Sequence, residues 1–212
     1  TGPNSIIGGL IGLNAGTIGS TLSSTGKVTG DSESYIGGLV GLNVGRIDGV
    51  VQSTPGATVT GLGEFNAIGG LVGGNVGTIV ASSAVRNVSA GLYASAGGLA
   101  GVNMTFDNVP DPVFPELSLV PGSSFPVGTI SNSTASGNVT GGDGSTVGGL
   151  VGSNGGAISG STASGIVTGG AFSLVGGLVG WNSGPFMTPI LPAIMSGACD
   201  VEGCNVLVTA TV

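Results

Sequence analysis

The sequence predicts an all-β protein, a parallel β-solenoid (β-helix) of six coils of about 28 residues with one loop insertion. Three observations predict it. A heptad, Gly-Gly-Leu-x-Gly-x-Asn, occurs six times at near-constant spacing. Glycine supplies 46 of 212 residues while charged residues supply 6%, and mean hydropathy is +0.55. That excludes a disordered chain, and the missing G-X-Y period excludes collagen. No run shows the 3.6-residue period of an amphipathic helix, which glycine at this density would oppose.

The heptads begin at Gly8, Gly37, Gly69, Gly97, Gly148 and Gly176, so the spacings are 29, 32, 28, 51 and 28. After most copies the chain continues x-Gly-x-Ile, as in Val44-Gly45-Arg46-Ile47. After Asn103 that continuation waits until Val127-Gly128-Thr129-Ile130. Removing the 23 residues Met104 to Pro126 returns the spacing to 28. The segment 104–126 therefore reads as an insertion between two coils of a solenoid spanning 1–184, followed by a Pro-rich segment and C-terminal strand over 185–212.

Each coil reads as three short β-prone runs with Gly, Ser and Asn at the corners. Stacked layers about 4.8 Å apart would align like residues in columns: Leu10, Leu39, Leu71, Leu99, Leu150 and Leu178; Ile18, Ile47, Ile79, Ile130 and Ile158; Val28, Val59, Val88, Val139 and Val167. The residue before each Gly-Gly is also apolar. Strict alternation cannot turn both it and the Leu three positions later inward, so a bend or bulge is expected at Gly-Gly, where positive φ is cheap. The column Asn14, Asn43, Asn75, Asn103, Asn154 and Asn182 is expected to bond along the axis or cap a turn. A polar binding ladder is the functional alternative.

Three basic residues against ten acidic give a net charge of −7, which argues against nucleic acid and anionic membranes as partners. The most apolar stretch, Phe186 to Met195, is too short to span a bilayer and carries two prolines. The start at Thr1, without Met or a leader-like stretch, suggests a processed or trimmed chain. Cys199 and Cys204 are expected to close a small disulfide loop in an oxidising compartment, two free thiols being the alternative.

Gly-Gly-Leu-Val-Gly-x-Asn followed by x-Gly-x-Ile resembles the GLUG repeat, found in large secreted and surface-anchored bacterial and archaeal proteins such as haemagglutinin-like adhesins and non-catalytic regions of immunoglobulin A peptidases. The resemblance covers about Ile6 to Trp181. It implies a β-helical rod at the cell surface and transfers no catalytic residues.

The parts for catalysis are missing from the sequence. There is no His, so His-based triads, His metal sites and the His-Glu-x-x-His motif are excluded. The acids are scattered, Trp181, Tyr35 and Tyr93 read as isolated rather than as a row for sugar stacking, and the heptads lack the Gly-Lys-Ser/Thr end of a phosphate loop. No catalytic residue, cofactor or metal is expected.

Function is expected where repetition stops. The insertion carries Phe106, Phe114 and Phe125, and the later segment carries Phe186, Ile190 and Leu191. These are candidate contacts to another copy, unless both segments fold back on the rod itself. The run Asn205 to Val212 reads as a strand that caps the last coil or is donated to another subunit. The sequence thus points to a secreted, non-enzymatic structural subunit that self-assembles into a cell-surface fibre, sheath or layer. The alternative is an adhesin rod displaying the 104–126 loop to a host or neighbouring cell, and a third reading is a carbohydrate-active β-helix.

Overall fold

The computed structural model describes residues 2–20, 22–52, 57–105 and 127–183, together with the backbone of the strand Cys204–Thr211. Among these there is no helix. The chain winds as a parallel β-solenoid of four sheets and about five turns. The sixth heptad contributes strands only to the first two sheets, so six heptads bound five full turns.

Each coil lays its strands down in the same order. In the second heptad's coil these are Tyr35–Gly37 in the first sheet, Val40–Asn43 in the second, Arg46–Asp48 in the third and Thr58–Gly61 in the fourth. All pairing between coils is parallel and in register. Ile7, Ile36, Ile68, Ala96, Val147 and Val175 align in the first sheet. Ile18, Ile47, Ile79, Ile130 and Ile158 align in the third. Val28, Val59, Val88, Val139 and Val167 align in the fourth. Four sheets replace the three runs expected, because Leu separates the pre-glycine residue and the post-leucine residue into different strands.

The Leu residues stack through their backbones, each N–H donating to the Leu carbonyl one layer on, from Leu10 to Leu39 (3.0 Å) through Leu150 to Leu178 (2.8 Å). Leu39, Leu71, Leu99 and Leu150 are fully buried. Leu10 departs from the core role expected for it, at 48% exposure, since no described coil lies beneath it.

The Gly-Gly bend also differs from expectation. It is not a surface corner: Ile36 through Asn43 are buried without interruption. Nor do its glycines adopt positive φ, which among described glycines occurs at Gly49, Gly144, Gly160 and Gly165. They are needed because there is no room for a Cβ. A Cβ on Gly69 would overlap the carbonyl oxygen of Val72, and one on Gly98 would lie 2.9 Å from the Ala135 methyl. Gly149 meets Ala163 in the same way at 3.0 Å. The turn thus crosses the interior and abuts the fourth sheet at the aligned alanines Ala84, Ala135 and Ala163.

That crossing divides the interior. One apolar compartment holds the Leu and Ile columns with Val40, Val72 and Val151; another holds the Val column with Ile36 and Ile68. A third, smaller one holds Leu42, Val76 and Met104 with Tyr35 packed against them. Burying each Leu or Ile contributes about 2 kcal/mol.

Candidate functional site

The Asn column is a continuous chain of side-chain amides. Asn14 Nδ2 donates to Asn43 Oδ1 (2.7 Å), Asn43 to Asn75 (2.8 Å), and Asn75 to Asn103, Asn103 to Asn154 and Asn154 to Asn182 (2.7 Å each). The same nitrogens close the turn that follows, as Asn43 does on the Gly45 carbonyl (3.3 Å) and Asn75 on that of Gly77 (3.1 Å). Asn43, Asn75 and Asn103 are fully buried. With both amide ends engaged inside the coil, the ladder ties layers together and presents no polar groove.

At the insertion the ladder is maintained. Asn103 Nδ2 reaches the carbonyl of Gly128 across it (3.0 Å). Thr105 and Val127 form an antiparallel bridge at its neck, and the Gly128 N–H donates to the Met104 carbonyl (2.9 Å). Met104 is itself buried beside Leu42 and Val76, so the chain leaves the coil only after it. Phe106, Phe114 and Phe125 lie outside the described residues, as do Phe186, Ile190, Leu191 and Cys199. The strand Cys204–Thr211 pairs antiparallel with Thr162–Gly169 of the same chain, Cys204 opposite Gly169.

Three features escape the sequence reading. Serines form further ladders: the N–H groups of Val50, Ser82 and Ser133 donate to Ser82, Ser133 and Ser161 Oγ (3.1–3.2 Å). The repeated Ser-Thr-Ala-Ser at 133–136 and 161–164 is the signal for it. Among the described residues Arg86 is the largest fully buried side chain. Its guanidinium donates to the carbonyls of Gly26 (2.8 Å) and Ser24, two layers away. Among the described residues its Nε has no partner, and both amide atoms of buried Gln52 have none. Burial of Arg86 lowers its pKa. Substitution Arg86→Ala leaves a large void and two carbonyls without this donor. We expect it to cost about 3–5 kcal/mol, read as a drop in thermal midpoint by circular dichroism. Finally, Tyr93 is not isolated: its ring stacks on Phe65 with centroids 5.4 Å apart.

These features together define the molecule as a β-solenoid whose layers are tied by amide and hydroxyl ladders. Comparison with family models, curated proteins and solved structures returned no match for this chain.

Proposed function

We propose that the protein is a secreted, non-enzymatic structural rod of the cell surface, of the kind the GLUG-like heptads imply, and that it assembles end to end with other copies of itself. The observation that carries the reading is the chemistry of its two ends. At the first layer the strands Ile6–Gly8 and Ile11–Asn14 leave one edge without a described partner, with Leu10, Leu13 and Leu22 exposed beside them. At the last layer Leu174–Gly176 and Val179–Asn182 do the same. The two faces carry the same columns in the same register, so the tail of one copy continues into the head of the next as one coil continues into another. Contacts of this head-to-tail kind propagate into filaments. The closing strand Cys204–Thr211 covers the last edge of the fourth sheet, which leaves the first three sheets, the third ending at Thr17–Ile18 and Ala157–Ser159, to carry the joint.

Negative-stain electron microscopy of the purified chain over rising concentration tests this. Linear rods that shorten in a Leu13→Glu variant of unchanged circular dichroism are expected. Monodisperse single particles at every concentration would refute assembly.

A second reading, an adhesin displaying the insertion, is favoured by the bridged neck at Thr105 and Val127, which lets the loop vary without disturbing the register at Thr129. Replacing 106–126 by an Asn-Gly turn is expected to shift the thermal midpoint by only a few degrees, because shortening a closed loop costs little. Loss of cell binding in that folded variant, with rods still formed, would favour adhesion.

A further inference from the structure

At the corner joining the fourth sheet to the first, every coil passes through one residue of left-handed backbone: Asn4 (φ 55°), Glu33 (55°), Phe65 (56°), Tyr93 (50°), Gly144 (67°) and Phe172 (57°). These residues stack in register. The N–H of Glu33 donates to the Glu64 carbonyl (2.8 Å), that of Phe65 to Leu92 (3.1 Å), that of Tyr93 to Asp143 (2.9 Å) and that of Gly144 to Ala171 (2.8 Å). Glycine takes this conformation freely, as Gly144 does, whereas a bulky side chain adopts it against steric resistance. Half of these positions nevertheless carry aromatic rings.

The rings are not there for the core. Phe65, Tyr93 and Phe172 are 59%, 55% and 61% exposed, and Leu62 and Leu92 stand exposed on the same turns. Phe65 and Tyr93 stack with planes 15° apart. The Tyr93 ring occupies the space where a side chain at Gly144 would go, and Phe172 follows in the next layer. The result is an aromatic row along the solenoid axis, with Tyr93 and Phe172 two layers, or about 10 Å, apart. Strained backbone that presents exposed rings is a mark of a contact site.

The surrounding charge narrows the ligand. Asp31, Glu33, Glu64 and Asp143 are exposed on the same stacked turns, and those turns hold no Lys or Arg. Of the chain's three cations, Arg86 is buried, Arg46 is paired with Asp48 (2.8 Å), and exposed Lys27 stands before the strand Val28–Gly30, at its far end from these turns. Rings of this kind stack nucleic-acid bases, but a row flanked by carboxylates repels phosphates. What fits is an uncharged linear polymer whose units offer apolar faces to the rings and hydroxyl donors to the carboxylates. Pyranose rings do both, and two layers match one disaccharide of an extended chain. The geometry points to a binding strip for a neutral β-linked polysaccharide lying along this corner, with Phe65, Tyr93 and Phe172 as stacking platforms. It is independent of end-to-end assembly.

Affinity electrophoresis of the whole chain through gels containing hydroxyethylcellulose, xylan or glycol chitin tests the strip. Retardation by at least one of these is expected. The triple variant Phe65→Gly, Tyr93→Gly, Phe172→Gly should bind about tenfold or more weakly, as three ring contacts are lost. Its thermal midpoint should not fall below that of the parent, since glycine suits the backbone at all three positions. No retardation in any gel, or retardation that survives the triple substitution, overturns the proposal. So does binding to polylysine, abolished by salt, in place of binding to the glycans, because the row would then serve a cationic partner.

Discussion

A Gly69→Ala substitution is expected to prevent folding, although it adds a single methyl group. The methyl would overlap the Val72 carbonyl oxygen and sit 2.7 Å from the Leu99 carbonyl oxygen and 2.8 Å from Ala100 Cα. All three are backbone atoms fixed by pairing within and between coils, so none can rotate away as a flexible side chain would. Relief requires the turn to open, which pulls Leu71 and Val72 from one compartment and Ile68 from the other. We expect a cost of about 4 kcal/mol or more, against the 1–3 kcal/mol usual for overpacking where side chains can adjust. Gly19→Ala is the control, since a Cβ there meets nothing within 4 Å; it should leave the thermal midpoint unchanged. Equal behaviour of the two variants in thermal circular dichroism would remove the internal turn from the account of this fold.

The contrast shows what the sequence could and could not reveal. The columns were legible because a solenoid repeats one environment: whatever side chain suits Ile47 also suits Ile79 and Ile130, and constant spacing gives the register directly. That an interruption follows the fourth heptad was legible for the same reason, as the period resumes at Gly128, but Met104, read as its first residue, takes the place in the coil that Val76 takes one layer earlier. The internal Gly-Gly turn was not. A period-2 conflict at Ile-Gly-Gly-Leu has two solutions, a positive-φ bulge or a close backbone approach, and composition does not separate them. Arg86 was hidden because it occurs in one coil only and reaches two layers across the core, a contact no local pattern encodes. The aromatic row did leave a signal. Phe65, Tyr93 and Phe172 each stand four residues before a heptad, as do Asn4, Glu33 and Gly144. Because the residue type changes from coil to coil, a search for identical side chains passes over what is conserved in conformation.

The other large effect is expected at Asn75, in the middle of the amide ladder. Its Nδ2 donates to Asn103 Oδ1 (2.7 Å) and the Gly77 carbonyl (3.1 Å), its Oδ1 accepts from Asn43 (2.8 Å), and none of it reaches solvent. Asn75→Ala breaks the chain in both directions and leaves buried groups of Asn43 and Asn103 without these partners. At about 1–3 kcal/mol for each orphaned group the expected cost is about 4 kcal/mol, or roughly 10 °C in thermal midpoint for a chain of this size. Asn14→Ala, at the end of the ladder, removes one bond between layers instead of two and should cost about 1–2 kcal/mol. Asn75→Asp adds a test of direction. A buried carboxylate there accepts from Asn43 but has no proton to give Asn103, so its pKa must rise on folding. The variant's stability is then fully present below the ordinary carboxylate range and is lost as pH rises through the elevated folded value. Thermal midpoints at pH 4 and pH 7 should therefore place Asn75→Asp nearer the parent at the lower pH. A midpoint that ignores pH, or an Asn75→Ala variant as stable as Asn14→Ala, would mean that apolar columns alone hold the layers in register.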